Sequence, residues 1–351
     1  MKMGFRWYGE GNDSVTLNHI KQIPGVETIV WSLHDVPAGE EWPMEKILEV
    51  KKQAEQSGFT IDVVESVNVH EDIKLGLPSR DVYIENYKRT IKKLGKAGVK
   101  VICYNFMPVF DWIRTDLFKE LEDGSTAMFY EKAEVDQIDP IVLVQRIADN
   151  PNYTMSGWEP ERLENLTKLF NAYKDIKEED LMNNLRYFLE AIIPVCEENA
   201  IKMAIHPDDP PWPIFGLPRI ITSQENIRRV LQLVDSPSNG VTLCSGSLGA
   251  NPNNDIVNMI REFADRIPFA HVRNVRVYEN GDFIETSHRA QDGTVDMVGI
   301  MKAYHESGFN GYIRPDHGRH IWDEKCRPGY GLYDRALGIM YLLGIWDSLE
   351  Q

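Results

Sequence analysis

The sequence predicts one α/β domain built on a closed barrel of eight parallel strands that alternate with helices. Eight short runs of apolar and β-branched residues recur along the chain, and most are continuously apolar, as strands buried on both faces are. Longer amphipathic segments separate these runs. The length of 351 residues is large for an ordinary domain but usual for a TIM barrel that carries insertions. These observations together favour the (β/α)8 barrel.

The predicted strands follow one another from the N-terminus to the last tenth of the chain. They cover residues 3–8, 28–33, 60–67, 100–106, 202–206, 240–244, 269–275 and 311–315. The predicted helices cover residues 42–58, 80–98, 178–199, 223–234, 255–266 and 295–307. Three of these helices end at a glycine just before the next strand, in the segments QSGFTI, KAGVKV and ESGFNGYI, and glycine is favoured directly after a helix. Right-handed crossovers then close such a series into a parallel barrel.

Two segments interrupt this alternation. Residues 110–177, after the fourth strand, are too long for an unstructured loop, so we expect them to form a small helical cap over the barrel mouth. The segment VRVYENGDFIETSH, after the seventh strand, alternates around Asn280-Gly281, which is typical of a β-hairpin. Both segments follow strands, so both should lie at the C-terminal end of a single barrel domain that spans residues 1–351.

The net charge of −16 makes nucleic acid and anionic membranes improbable partners. An anionic substrate would then need a local arginine, lysine or metal ion. The chain shows no apolar run of membrane-spanning length and no signal-peptide core at its start, so a cytoplasmic protein is expected. We expect a small-molecule substrate and a homo-oligomer, most simply a dimer. The four cysteines include no CxxC pair and are expected to be free thiols.

Metal-capable side chains fall at the ends of four consecutive predicted strands. His206, Cys244, His271 and Asp316 end the fifth, sixth, seventh and eighth strands, and His317 follows directly. The carboxyl ends of barrel strands meet at one rim, where the active sites of such barrels lie. Imidazole, thiolate and carboxylate are all ligands of divalent transition metals. The sequence therefore predicts a metal site made of these four residues.

Each of these residues, taken alone, has a simpler interpretation. A single histidine at a strand end is more often a hydrogen-bonded core residue, a single cysteine a small buried apolar residue, and a single aspartate the cap of a turn. Packing gives no reason for four such residues to occupy equivalent positions on successive strands. The coincidence favours the metal site.

Further residues are candidates for holding an acid substrate. An arginine fork matches a carboxylate, and the small residues of SGSLG leave backbone N–H groups accessible, although an Arg–Asp brace and a tight turn are the simpler interpretations. In the insertion, an aromatic residue and an arginine are candidate lid residues, with plain packing as the alternative. The candidate substrate-binding residues are Arg314, Asn274, Ser245, Trp112 and Arg114.

Several segments resemble the signature segments of the mannonate dehydratase family. They are FRWYG, DWIRTDL, DGSTAMFYE, HPDDPPWPIFGLPRI, LCSGSLG, HVRN, GYIRPDHGR and PGYGLYDRALGIMYLLG, and they are spread from end to end of the chain. The resemblance implies a sugar-isomerase-type barrel, and a hydro-lyase that converts D-mannonate to 2-keto-3-deoxy-D-gluconate in hexuronate breakdown. It implies Mn²⁺ or Fe²⁺ on the four ligands above. It also implies catalytic roles for His317 and Tyr330.

Dehydration of a 2,3-dihydroxy acid requires a base that removes the C2 proton and an acid that protonates the leaving C3 hydroxyl. His317 and Tyr330 are the candidates, and the sequence leaves open which is which. A histidine that only orients Asp316 and a tyrosine that only packs the last loop are the alternatives. The ligand set would also suit Zn²⁺, whereas open positions for substrate favour Mn²⁺ or Fe²⁺.

Rival functions also remain at this stage. A metal-dependent sugar isomerase on the same barrel would usually show ligands rich in Glu and Asp, which Cys244 argues against. A non-catalytic sugar-acid or metal-binding protein would need no acid–base pair. A metal-dependent phosphodiesterase fits poorly with the acidic charge and a single metal site.

Overall fold

The computed structural model describes residues 1–143 and 166–350, and its centre is a closed barrel of eight parallel strands. The barrel strands are β1 (Lys2–Arg6), β2 (Val26–Trp31), β3 (Thr60–Glu65), β4 (Val101–Tyr104), β7 (Lys202–Ile205), β8 (Asn239–Cys244), β9 (Phe269–His271) and β12 (Tyr312–Arg314). Their hydrogen-bonded order around the barrel is β1-β12-β9-β8-β7-β4-β3-β2. The predicted barrel is confirmed.

Helices pack around this barrel. In the described residues they are α1 (Leu17–Ile20), α2 (Met44–Gln56), α3 (Glu71–Leu75), α4 (Arg80–Ala97), α5 (Lys132–Val135), α6 (Leu166–Tyr173), α7 (Glu178–Glu198), α8 (Gln224–Leu233), α9 (Ser245–Gly249), α10 (Ile256–Phe263), α11 (Met297–Glu306) and α12 (Tyr333–Leu349). All six predicted helices are present, with ends that differ by at most three residues. The helix predicted over residues 255–266 finishes as a 3-10 turn.

A second, four-stranded antiparallel sheet stands beside the barrel mouth. Strands β5 (Asp116–Glu120) and β6 (Thr126–Tyr130) come from the insertion after β4, and β10 (Val275–Val277) and β11 (Phe283–Glu285) form the hairpin predicted around Asn280-Gly281. The two hairpins join through β6 and β11. We call this unit the accessory sheet.

The accessory sheet corrects the expected helical cap. The first part of the insertion is a β-hairpin, and among the described residues its helices are α5 and α6. The middle of the predicted cap, residues 144–165, lies outside the described residues. The physical reason for the error is that β6 pairs with β11 (Tyr130 with Phe283), and a pairing between segments so far apart in the sequence leaves no local pattern in the insertion. The predicted strand over residues 269–275 divides for the same reason: β9 stays in the barrel and Val275 begins β10.

The barrel interior and the layer between barrel and helices form separate apolar clusters. Neighbouring residues of a strand point to opposite faces, and here Ile29 and Val64 belong to the outer cluster while Val30 and Val63 belong to the inner one. The inner cluster consists of Val30, Val63, Val101, Cys103, Ala204, Phe269 and Tyr312. This packed floor closes the barrel below the site, as in other barrels of this type. Among the described residues, no helix combines the length and apolar character that crossing a membrane requires.

Candidate active site at the barrel mouth

A cavity opens at the carboxyl ends of the barrel strands. Residues from the ends of several strands line it, among them Arg6 at the end of β1, Glu65 at the end of β3 and His206 after β7. Asp316, His317 and Tyr330 line it from the segment after β12. The closed barrel therefore brings side chains that are hundreds of residues apart onto one wall.

Three of the four predicted metal ligands converge on one point. The ligand atoms of His206, Cys244 and His271 all lie within 4.8 Å of one another. Nε2 of His206 is 3.1 Å from Nδ1 of His271. Two imidazole nitrogens bound to one ion are expected about 3 Å apart, because each metal–nitrogen bond is about 2.0–2.1 Å long. This separation is therefore compatible with both imidazoles binding a single ion.

The chemistry of Cys244 also fits a metal ligand. Burial by itself raises the pKa of the thiol, but the Arg273 guanidinium and hydrogen bonds from His206 and His271 outweigh burial and lower this pKa to about 5. The backbone N–H of Ser247 (3.4 Å) and the Ser247 hydroxyl (3.1 Å) also donate to the Cys244 sulfur. The thiolate, the form that binds metals, is thus the stable form at neutral pH.

Asp316 lies at the edge of this cluster. Its Oδ2 is 3.6 Å from the Cys244 sulfur, and its Oδ1 is 3.7 Å from Nδ1 of His271. It adopts a left-handed backbone conformation (φ 59°), which aspartate tolerates better than most residues. Nε of Arg273 donates to Oδ2 over 2.6 Å, and Arg314 contacts Oδ1 at 2.9 Å. The carboxylate is thus held beside the three-ligand cluster by two arginines.

His317 and Tyr330 form a hydrogen-bonded pair in the cavity. Nε2 of His317 is 3.0 Å from the Tyr330 hydroxyl. The Gly-flanked turn that carries Tyr330 folds back beside β12, and Nη2 of Arg335 holds its carbonyl. Burial and the neighbouring Tyr8 raise the pKa of the Tyr330 phenol well above its ordinary value. The pair therefore offers one imidazole and one neutral hydroxyl next to the candidate metal ligands.

Two arginines, Arg314 and Arg6, line the same cavity, and we call them the arginine wall. Nε and Nη2 of Arg314 donate to both carboxylate oxygens of Glu65 over 2.9 and 2.6 Å. Nη1 of Arg314 is buried and has no hydrogen-bond partner among the described residues. Arg6, which lines the cavity beside it, is tied by Nη1 to the carbonyls of Trp7 and Val30. This wall therefore has a donor available for a substrate oxygen.

The other candidate substrate-binding residues divide into two groups. Trp112, like Arg314, lines the cavity. Arg114, Ser245 and Asn274 are not among the residues that line it, and their contact with substrate stays a prediction. Arg114 is fully buried against Asp209 and Glu285. The Ser245 hydroxyl donates to the Arg273 carbonyl, and the Asn274 side chain bonds the Arg289 carbonyl and the Val295 N–H. Their polar atoms are already used to brace the loops around the site.

Four residues near the site escaped the sequence analysis: Glu65, Asp209, Arg273 and Glu285. Arg273 lies within the HVRN segment and Asp209 within HPDDPP, beside the predicted ligands His271 and His206, so proximity in the sequence to these histidines could have indicated them. Glu65 ends a predicted strand that had been extended two residues too far, which hid its place at the rim. Glu285 reaches the site from the accessory sheet, and no local pattern indicates this.

Comparisons with known proteins agree with this geometry. A model of the D-mannonate dehydratase (UxuA) family matches residues 1–351. "Mannonate dehydratase 1" of Bacillus licheniformis is 75% identical over 351 residues, which cover 100% of this chain and 96% of that protein. Mannonate dehydratase of Bacillus subtilis is 58% identical and covered to 98%.

Solved structures give the same result. The crystal structure of mannonate dehydratase from Streptococcus suis serotype 2 superposes with a TM-score of 0.90 at 47% identity, over 99% of this chain and 94% of that one. A xylose isomerase domain protein from Planctomyces limnophilus superposes with a TM-score of 0.55 at 11% identity, covering 99% and 98%. At so low an identity the second match shows only a shared barrel fold.

Proposed function

The chain belongs to the D-mannonate dehydratase family, and from that premise we propose that it is a hydro-lyase that converts D-mannonate to 2-keto-3-deoxy-D-gluconate and water. One observation carries the proposal. The cavity that holds the His317–Tyr330 hydrogen bond is also lined by His206 and Asp316, so a candidate acid–base pair stands beside a candidate metal site. Dehydration needs both parts.

The metal ligands in this proposal are His206, Cys244, His271 and Asp316. A divalent ion held there supplies positive charge that stabilises the negative charge developing on the substrate next to its carboxylate. We assign Mn²⁺ or Fe²⁺ to the site, because a substrate needs open coordination positions and these ions accept higher coordination numbers than Zn²⁺ usually does.

The protein's own groups supply the proton transfers. Elimination breaks the C2–H bond and the C3–O bond, so one group takes the C2 proton and another gives a proton to the departing hydroxyl, which leaves as water. The enol that remains gains a proton at C3, loses the proton of its C2 hydroxyl and becomes the 2-keto acid. His317 and Tyr330 are the two groups, because each has a proton-carrying atom in the cavity and they lie 3.0 Å apart.

Positioning of the substrate falls to the arginine wall and to Trp112. The unpartnered Nη1 of Arg314 is a buried cation donor, and leaving it without an acceptor is costly, so a carboxylate or hydroxyl oxygen of the sugar acid is its natural partner. Trp112 covers the cavity from the insertion and helps to exclude water from the charged reaction centre.

The proposal is tested by loading the metal-free protein and assaying it. EDTA treatment should abolish formation of the 2-keto-3-deoxy acid from D-mannonate, and Mn²⁺ should restore it. His317→Asn and Tyr330→Phe should each lower kcat by at least about a hundredfold, since general acid–base groups contribute about 10²–10⁴-fold, while metal content stays near one per chain. Full activity of the demetallated protein, or near-normal kcat in both variants, would reject the mechanism.

Tyr87→Phe is a matched control. Tyr87 is also a buried tyrosine, but its hydroxyl donates to the Val67 carbonyl and does not line the cavity, so its loss should leave kcat unchanged. Solvent exchange of the C2 proton then assigns the roles. A variant that exchanges this proton without eliminating water retains the base and has lost the acid.

The rival functions predict different results in these assays. A sugar isomerase would interconvert an aldose and a ketose and release no 2-keto-3-deoxy acid. A non-catalytic binding protein would bind mannonate equally well after His317→Asn and Tyr330→Phe. The cytoplasmic location, the homodimer, the absence of nucleic-acid and membrane partners, and the role in hexuronate breakdown stay predictions.

A further inference from the structure

Four buried charges form a closed ring next to the active site. Arg114, Asp209, Arg273 and Glu285 are each at most 3% exposed. Arg114 donates to both carboxylates, over 2.7 Å to Asp209 and 2.7 Å to Glu285. Arg273 does the same, over 2.7 Å to Asp209 and 2.6 Å to Glu285. The charges alternate around this ring, which we call the charge ring, and sum to zero.

Asp209 of the charge ring itself lines the cavity, and the ring has three further contacts with residues of the site. Nε of Arg273 donates to Asp316, and the Ser247 hydroxyl links Asp209 (3.1 Å) to the Cys244 sulfur (3.1 Å). The third contact is between Glu285 and the acid–base pair. Glu285 is at the end of β11 in the accessory sheet and is not among the residues that line the cavity.

The third contact involves a polar atom whose bonding is otherwise unexplained. Nδ1 of His317 is buried and has no hydrogen-bond partner among the described residues. Oε1 of Glu285 lies 3.5 Å from it, while the other ring nitrogen, Nε2, faces the Tyr330 hydroxyl at 3.0 Å. An unpaired buried nitrogen costs about 1–3 kcal/mol, and a shift of a few tenths of an ångström would give it a carboxylate partner.

We propose that Glu285 is the positioning residue of His317. Its carboxylate receives Nδ1–H, and this fixes both the plane of the imidazole and its tautomer, so that Nε2 is the nitrogen presented to Tyr330 and the substrate. The inference rests on the proposed function of His317. A carboxylate with this role sets which ring nitrogen can exchange a proton in the reaction, and in serine hydrolases the loss of such a carboxylate greatly slows catalysis.

The charge ring explains how Glu285 can do this. Burial alone would raise the pKa of its carboxyl group, but Arg273 and Arg114 outweigh burial and lower that pKa to about 2, so the group remains an anion. Both oxygens are fixed by Nη1 of Arg273 at 2.6 Å. A carboxylate held on two sides cannot rotate away from the imidazole, which is what fixing a tautomer requires.

A double-mutant cycle separates this role from general damage. Glu285→Gln should lower kcat by about 10–100-fold while KM for D-mannonate and the Kd for Mn²⁺ change less than about threefold. In the His317→Asn background the same change should cost less than about twofold, because the residue through which Glu285 acts is already gone. Equal factors in the two backgrounds would overturn the proposal.

Two additional variants keep the cycle interpretable. Glu285→Asp retains the charge and shortens the side chain by one methylene, so it should fold even if the neutral amide of Glu285→Gln disturbs the charge ring. Its loss of kcat should likewise be smaller in the His317→Asn background. Glu71→Gln is a matched control: Glu71 is a buried carboxylate paired with Lys74 at 2.9 Å, and any loss it causes should be equal in both backgrounds.

A spectroscopic measurement makes the test independent of activity. Nitrogen NMR of histidine-labelled, Zn²⁺-loaded protein should show His317, assigned by its absence in His317→Asn, as the Nδ1–H tautomer. In Glu285→Gln the population should shift toward the other tautomer or a mixture. An unchanged His317 signal would overturn the role of Glu285. A wild-type enzyme that does not dehydrate D-mannonate would instead reject the proposed function, and the NMR result would still decide the tautomer.

Discussion

The floor of the barrel and the charge ring beside its mouth are held together by opposite kinds of interaction. On the floor, apolar side chains from six strands pack into one small cluster that needs no specific partner atoms. In the charge ring, Arg114 and Glu285 come from positions 171 residues apart and each carboxylate is shared by two arginines. Apolar packing tolerates exchange of one residue for another, whereas each buried charge depends on the presence of the others.

This difference indicates that the two regions have different structural roles. The barrel floor supplies a stable frame that positions strand ends. The charge ring links the accessory sheet to the barrel and contacts Asp316, Ser247 and His317. It therefore fixes the accessory sheet relative to these active-site residues. Substitutions in the two regions should therefore differ in size and in kind.

The largest effect is expected from Arg273→Met. The variant removes one of the two arginines that contact each of Glu285, Asp209 and Asp316, and breaking a buried charge network in this way costs about 3–5 kcal/mol. Urea unfolding of wild type and variant measures the difference. Arg261→Met is the control: it breaks an exposed pair with Glu306 and should cost less than about 1 kcal/mol. Similar losses of unfolding free energy in the two variants would mean that the charge ring contributes no more to stability than an exposed ion pair.

Arg114→Ala should come next, with a loss of stability of about 3 kcal/mol, because Arg114 contacts two carboxylates of the ring but not Asp316. Its KM for D-mannonate should stay within about threefold of wild type, since Arg114 does not line the cavity. Trp112→Ala, two residues away, should raise KM about 2–10-fold through the lost aromatic contact. Steady-state kinetics with both variants checks this, and a larger KM change in Arg114→Ala would return that residue to the binding site.

A smaller and purely structural effect is expected on the floor. Val101→Ala removes two methyl groups from the inner cluster and should cost about 1–2 kcal/mol, from lost burial and a small cavity. Its kcat and KM should equal those of wild type, because Val101 does not line the cavity. Any change in kcat beyond about twofold would show that the floor and the site are coupled, contrary to the comparison above.

The smallest effect concerns pH. Burial lowers the pKa of His320 from 6.5 to about 4, and its ring joins the accessory sheet to the catalytic segment through Thr126 and the Gly329 N–H. Between these two pKa values the unfolded chain binds a proton that the folded chain does not, so stability rises with pH across this window and is lost as pH falls through it. The loss from pH 7 to about 5.5 should be about 1 kcal/mol.

His320→Asn provides the comparison. It should be less stable than wild type at pH 7, because the Gly329 N–H loses its acceptor, but it should lose about 1 kcal/mol less than wild type on acidification. Thermal or urea unfolding at the two pH values measures both quantities. Parallel stability curves for the two proteins would contradict a neutral, buried His320.

Most of the barrel was predictable because its information is local. Each parallel strand is buried on both faces, so a run of about five or six apolar residues is enough to recognise it, and glycines follow the ends of several helices. The candidate ligands His206, Cys244 and His271 were predictable for the same reason, since a strand that ends at a known residue places that residue at the rim. The resemblance to the family agreed with this prediction.

The joining of the two hairpins into the accessory sheet, and the charge ring, were decided only by tertiary structure. Strand β6 pairs with β11 across a long sequence separation, so the hairpin predicted around Asn280-Gly281 gave no indication of its partner in the insertion. Arg114 looked like a lid residue because an arginine in a polar insertion usually faces solvent, and it is buried here only because Asp209 and Glu285 meet it in space. The sequence by itself determined which residues end the barrel strands, because burial leaves a periodic pattern. The tertiary structure decided which charges neutralise one another, because the attraction between two charges depends on their distance in space and leaves no pattern along the chain.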